Sequence, residues 1–310
     1  GVVGSAPDVD IVAIRVFGGE FAYGSDIIAG QMHAVDVGCD AANLSLGGYP
    51  YSPGLQTQIS KEMDERAAQY GLDNDCLMVA AAGNDDSNLD DDGDVLSLPN
   101  QADGYMSVSA TGPIGFVPGG GLSGLASPTE TPAVYTNYGS EAVDVSAAGG
   151  NGTGSPANNV LGAYDNVFDD LPGSYYWLAG TSMAAPQVAG LVALIKSQNP
   201  DASAERIKYH IERTADHLEH DYSNVPYFQP DAEVDGWGFQ NSILEDAYSS
   251  ELFRGKGHID VEQAAMEAIP FPTAMEVDGH TIAPRDPDGD GHFEDVNGDG
   301  EVDMADVNAL

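Results

Sequence analysis

Along most of this chain, short apolar runs bounded by turn residues alternate with stretches whose apolar residues recur at helical spacing. "DVDIVAIRVF" (8–17) reads as a buried strand, because Ile11, Val12, Ile14, Val16 and Phe17 form a mostly β-branched run after turn residues. Residues 25–38 then read as a helix, with Ser25 as N-cap, Ile28, Met32 and Val35 at helical spacing and Gly38 as the stop. "AANLSL" is the next strand. A helix from about Pro53 to Tyr70 follows, carrying Leu55, Ile59 and Met63 on one face and Gly71 at its end. "CLMVAAAG", "YMSVSATG" (105–112), "AVDVSAAGG" (142–150) and residues 175–179 supply further strands, and helices are expected at 182–198 and 203–215. Strands alternating with helices predict an α/β architecture, a mostly parallel sheet with helices on both faces.

Between these elements lie long loops rich in Gly, Asp, Ser and Pro, at 84–104, 112–133 and 148–173. Such loops at strand ends are where sites are built. One junction stands out chemically: "AGTSMAAPQVAG" (179–190) places Ser182 between a strand and an apolar helix. A helix N-terminus offers unpaired N–H groups and the positive end of the dipole, both of which favour a developing anion. Pro186 is tolerated in the first turns, and Ala184 and Ala185 let the helix approach the sheet closely. The short word alone fits equally an N-cap serine on a buried helix.

The full word is more specific. "GTSMAAPQVAG" closely resembles the nucleophile motif of the subtilisin-like serine peptidases, the subtilase family, with Gln187 where many members have a non-catalytic His. Other blocks agree in order and spacing. "GVVGSAPDVDIVAIRVF" looks like the strand after the family's catalytic-His helix, "ANLSLGG" like its substrate-pairing strand, and "VAAAGND" like its oxyanion-hole loop. "VYTNYGSEAVDVSAAGG" and "GKGHIDVEQA" resemble later family strands and the closing segment, so the likeness covers about residues 1–268. It implies a subtilisin-like fold over residues 1–269 and a serine endopeptidase that acts on polypeptide substrates. Ser182 would be the acyl nucleophile and Asn84 the side-chain oxyanion donor, with the Ser182 backbone N–H as the second donor. Ser45, Leu46 and Gly47 would present an extended edge to the substrate backbone, and with Ala81, Ala82 and Gly83 would wall a roomy pocket. Asp85 and Asp86 read as solvated surface, although they could draw a basic side chain.

A serine needs an adjacent base, and that base needs a third group to orient it. The family carries these in "D(T/S)G" and "HGTHVAG" blocks, and neither block occurs here. His33, His210, His217, His220, His258, His280 and His292 all lie outside such a context, and His210, His217 and His220 show no zinc-ligand pattern. In the family the missing blocks lie N-terminal to the strand that begins this chain. The expectation is therefore a fragment lacking N-terminal strands of the sheet, inactive alone and completed by the missing part of the same domain. The rival reading is a noncatalytic pseudoenzyme that serves as a peptide-binding or calcium-dependent assembly module.

Charge narrows the setting. Acidic residues outnumber basic ones 50 to 10, for a net charge of −40, yet the apolar pattern is too regular for a disordered acidic chain. A folded surface so charged repels itself unless salt screens it, with a Debye length of only about 3 Å at 1 M. A secreted, extracellular, haloarchaeal-type protein of high-salt surroundings fits this composition, with an ordinary acidic exported protein as the alternative. Nucleic acid and anionic membranes are unsuitable partners, and no apolar run is long enough to span a bilayer. Cys39 and Cys76 each stand at the start of an expected strand; if those strands are neighbours the two form one disulfide, and otherwise they are two buried thiols.

From about residue 270 to 285 the chain reads as a Pro-rich and acidic linker, and residues 286–310 as a calcium-binding segment. "DVNGDGEVDMAD" (295–306) fits an EF-hand-type loop. Asp295, Asn297 and Asp299 are its alternating oxygen ligands, Gly300 makes the sharp turn, Glu301 contributes its carbonyl, and Asp306 closes the loop at position twelve. With Asp in the closing place it resembles a partial dockerin loop, which implies structural calcium and a calcium-dependent docking partner. Asp286, Asp288 and Asp290 offer a looser second site.

Overall fold

Five strands make the central sheet of the computed structural model, which describes residues 4–19, 21–49, 54–90, 96–113, 131–152, 156–163, 175–216, 253, 255–267, 269, 275–277 and 280–282. Strands β1 (Ala41–Leu44), β2 (Leu77–Ala81) and β3 (Met106–Gly112) pair in parallel in that order. The far end of β3 pairs antiparallel with the short β4 (Thr131–Pro132), and β5 (Val145–Ala148) lies parallel to β3. All five residues of β2 are buried, as a strand covered on both faces requires. β3 is also buried throughout despite three hydroxyl residues, and those polar groups are bonded: Ser109 Oγ donates to Phe253 O at 2.5 Å and Thr111 Oγ1 to Ala147 O at 3.2 Å.

Helix α1 (Gly24–Asp36) and helix α2 (Leu55–Leu72) cover one face of the sheet, and helix α3 (Thr181–Gln198) covers the other. Val188, Leu191, Val192 and Ile195 of α3 are almost wholly buried against β2, β3 and β5. Each such side chain contributes about 1.5–3 kcal/mol relative to exposure. Helix α4 (Ala204–Thr214) adds Ile207 and Ile211 to the same core and starts at Ser203, whose hydroxyl accepts from Arg206 N–H as an N-cap. A short helix α5 (Val261–Met266) closes that side, and an antiparallel pair β6 (Val160–Ala163) and β7 (Tyr175–Leu178) leads into α3.

Several expectations are corrected. Residues 8–17 are not a strand: no strand among the described residues pairs with them, and Ile11 is 87% exposed, with Val9, Val12 and Phe17 also out. Only Ile14 and Val16 turn in, over Gly30 of α1. β propensity produces a strand only where a neighbour supplies the ladder. Ser25 lies within the first turn of α1 and is not its cap; Tyr23 holds that place without a side-chain bond. Met32 points outward, and the inner face of α1 is Gln31, Ala34 and Val35. Gly38, with φ of +80°, does follow the helix end. On α2 the expected apolar face is the exposed one, since Leu55, Ile59 and Met63 face out while Thr57, Ala67, Ala68 and Gly71 face in. Gly71 lies inside the helix instead of ending it. The loops expected at 112–133 and 148–173 contain β4 and β6, and within the 270–285 stretch β8 (Met275–Val277) pairs with β9 (His280–Ile282).

Cys39 and Cys76 enter neighbouring strands as free thiols on the same side of the sheet, against the same apolar cluster. Burial pushes the Cys76 thiol up to about 12. Among the described residues no helix is long and apolar enough to cross a membrane.

Candidate active site

Ser182 sits where the sequence pattern places it, as the second residue of α3 after β7 and the turn at Ala179 and Gly180. The turn is fixed from below: Gly180 N–H donates to Gly149 O at 3.0 Å, and Tyr135 Oη donates to Gly149 O at 3.1 Å and to Gly150 O at 2.5 Å. Gln187 Nε2 ties the same helix to Ala148 O at 2.5 Å, at the end of β5. The N–H of a helix's second residue has no intrahelical acceptor, so Ser182 N–H is free to donate to a ligand. Ser182 Oγ is half-buried and, among the described residues, reaches only Ser45 O, at 3.5 Å, too long to hold it.

Asn84 lies beyond the end of β2, and its amide is oriented by Thr181, the neighbour of Ser182. Thr181 N–H and Thr181 Oγ1 both donate to Asn84 Oδ1, at 2.9 and 3.0 Å, and Thr181 Oγ1 accepts from Gly83 N–H at 3.1 Å. With both donors on Oδ1, the amide cannot flip without losing them, and Nδ2 remains as a donor at the mouth of the site. Thr181 itself is fully buried, so its geometry is held by packing. Asn84 Nδ2 and Ser182 N–H thus leave two N–H groups near one hydroxyl, an arrangement with the chemistry to bind an oxygen anion.

The strand-end loops supply a surface around this pair. Ser45 Oγ donates to Ser182 O at 2.7 Å and accepts from Asn43 Nδ2 at 2.9 Å, which joins the end of β1 to the first turn of α3. Residues 45–47 follow directly on β1, with Ser45 and Gly47 exposed and Leu46 half-buried. Gly48 and Leu98 form an antiparallel bridge that supports this edge from behind. Of the three residues expected in the opposing wall, Gly83 is half-buried, whereas Ala81 and Ala82 are buried and Ala82 offers no side-chain surface to a ligand.

Asp85 and Asp86 are placed differently from each other. Asp85 is exposed, and its Oδ2 accepts from Tyr49 Oη at 2.8 Å. Asp86, in the left-handed region with φ of 54°, has a buried Oδ1 with no hydrogen-bond partner among the described residues, and burial raises its carboxyl to about 7.

Among the described residues no histidine or carboxylate bonds to Ser182 Oγ. His33 is exposed on α1, His210 is buried with Nε2 on Ala264 O at 2.9 Å, and His258 Nδ1 lies 3.0 Å from Ser146 Oγ. No group of His, Cys, Asp and Glu among the described residues could hold a metal ion. The calcium ligands expected at Asp286, Asp288, Asp290, Asp295, Asn297, Asp299, Glu301 and Asp306 lie outside the described residues. Beside the open edge of β1, residues 4–16, α1 and α3 enclose a groove of about 1560 Å³ that reaches Met183, Pro186 and Gln187.

Sequence reasoning missed Thr181, Tyr49 and Asn137. The signal for Thr181 was its place next to Ser182. Asn137 stood inside "VYTNYGSEAVDVSAAGG" with no role assigned, because nothing local links it to residues some fifty positions earlier.

Comparisons with known proteins bear on the family and the fold. A family model described as the subtilase family matches residues 1–239. Subtilisin BL of Lederbergia lenta is 31% identical over 220 residues, 70% of this chain and 65% of the relative. The alkaline protease of Alkalihalobacillus alcalophilus is 31% identical over 220 residues, 70% of this chain and 46% of the relative. The chain thus spans between about half and two thirds of the length of these relatives. Among solved structures, a lanthipeptide protease shares the fold with a TM-score of 0.64 at 23% identity, covering 84% of this chain and 71% of that one. A protease of Pseudoalteromonas arctica matches with a TM-score of 0.55 at 28% identity, covering 84% of this chain and 64% of that one.

Proposed function

Since this chain belongs to the subtilase family, we propose that it is a serine endopeptidase that cleaves peptide bonds through an acyl-enzyme on Ser182. The observation that carries the reading is the Thr181 clamp on Asn84 Oδ1, which leaves Nδ2 as a donor next to Ser182. In the proposed reaction Ser182 Oγ attacks the substrate carbonyl and loses its proton to a general base. The oxyanion accepts from Asn84 Nδ2 and Ser182 N–H, and collapse of the tetrahedral adduct expels the amine, which takes the proton from the base. Water then releases the acyl group by the same steps in reverse roles. The substrate backbone lies along residues 45–47 as an added strand.

The reading places the base and its orienting carboxylate in polypeptide outside residues 1–310. The support is in the sequence, where neither the family's "D(T/S)G" block nor its "HGTHVAG" block occurs. The test is labelling of the full-length native protein with a fluorophosphonate together with peptide hydrolysis. Ser182→Ala should abolish both. Asn84→Ala should lower turnover by roughly 10²–10³, the range known for subtilisin's own oxyanion asparagine and carried over to its counterpart in this chain. Hydrolysis that survives Ser182→Ala overturns the reading.

The charge of −40 supports a secreted protein working at high salt. Unfolding should move to lower temperature as salt is removed, and equal stability in multimolar and dilute salt would refute that setting. For residues 286–310 the alternating ligands of 295–306 support structural calcium. Calcium titration should show binding that is lost on joint Asp295→Ala and Asp299→Ala replacement; unchanged binding removes the assignment.

A further inference from the structure

We propose that Asn137 is a positioning residue for the oxyanion donor Asn84, an inference that rests on the peptidase reading above. Asn137 is completely buried, and its bonds surround Asn84 without touching it. Its Oδ1 accepts from Asp85 N–H at 2.9 Å and from Ser87 N–H at 3.2 Å. Its Nδ2 donates to Ala82 O at 2.9 Å and to Tyr49 Oη at 2.8 Å, and its own backbone N–H donates to Gly83 O at 3.0 Å. One side chain and one N–H thus take up polar groups of residues 82, 83, 85 and 87. The loop on both sides of Asn84 is fastened to a single buried point.

The division of labour is geometric. Thr181 sets how the Asn84 amide is turned, and Asn137 sets where the Asn84 backbone stands. Close packing enforces the arrangement: Gly83 has φ of +105°, and a Cβ there would collide with Asn137 Nδ2. Tyr49 extends the network to the segment that follows the substrate edge. Its Oη accepts from Asn137 Nδ2 and donates to Asp85 Oδ2 at 2.8 Å. The edge meant for the substrate and the loop meant for the oxyanion therefore share one support, and a peptide seated on 45–47 is held in register with Asn84. Misplacement of a catalytic donor by about 1 Å costs up to about 10² in rate, whereas ground-state binding along an extended edge is less sensitive.

The experiment is steady-state peptide hydrolysis by the full-length protein carrying Asn137→Ala, Asn84→Ala, and both. Asn137→Ala should lower kcat by about ten- to a hundredfold with little change in KM. In the Asn84→Ala background it should change kcat by no more than about twofold, because the donor it positions is already gone. A full, multiplicative loss in the double variant would make Asn137 merely structural and overturn the inference. An unchanged kcat in the single variant overturns it as well. If Asn137→Ala does not fold, Tyr49→Phe decides: a fall in kcat that vanishes in the Asn84→Ala background supports the network, and unchanged kcat refutes it. Ser182→Ala separates the two readings. Activity that survives it sinks the peptidase assignment, whereas activity lost there but intact in Asn137→Ala sinks only the positioning role.

Discussion

Helices α2 and α3 are both 18 residues long and both carry apolar side chains at helical spacing, yet they use them in opposite ways. In α3, Val188, Leu191, Val192 and Ile195 are buried against the sheet, and Ser182 at its start inherits that rigidity. In α2, Leu55 is 73% exposed, with Ile59 and Met63 also out, and the small residues Ala67, Ala68 and Gly71 make the close contact. Apolar periodicity identifies residues that share a face. Whether another layer covers that face depends on the rest of the molecule.

The sharpest test of this contrast is Leu191→Ala, which should cost about 2–5 kcal/mol in denaturant unfolding because it opens a cavity in a packed interior. A loss below about 1 kcal/mol would mean that the core around α3 can collapse around the gap, and the contrast would weaken.

Asp86 tests the same loop region through charge. Its folded carboxyl stands near 7 against an ordinary 3.8, so folding favours the neutral form. The stability it contributes is complete below the unfolded value and is lost as pH rises through about 7. Asp86→Asn, which cannot ionise, should flatten the fall in stability between those values and gain most above them. A pH–stability profile that matches the parent protein would show that Asp86 is not desolvated.

The helix starts offer a smaller comparison. Ser203→Ala should cost about 1 kcal/mol, since its hydroxyl accepts from Arg206 N–H, whereas Ser25→Ala should cost a few tenths at most, roughly. Equal losses would mean that Ser25 caps α1 in solution. Smallest of all is Ile59→Ala, expected within about 0.5 kcal/mol. A loss well above that would show that something covers the outer face of α2.

The legible parts of the molecule were those with local causes. The strands at β2 and β3 announced themselves through continuous small or β-branched runs, and the start of α3 through a strand, a turn and a helix in eleven residues. The places of Ser182 and Asn84 were legible because each follows closely on a strand. Residues 8–17 misled because their β-branched composition is compatible with a ladder that no described neighbour provides. Leu55, Ile59 and Met63 misled because spacing has a face but no direction.

By itself the sequence determined the alternation of strands and helices, the sheet's parallel character, and the family's pattern around Ser182. These follow from periodicity and from short motifs, whose physics is complete within a dozen neighbouring residues. Only the tertiary structure decided which apolar faces are covered, that Thr181 turns the Asn84 amide, and that Asn137 braces the loop around it. Those outcomes depend on groups about fifty to a hundred positions apart meeting within 3 Å or so, and a hydrogen bond across such a separation leaves no periodic trace in the chain.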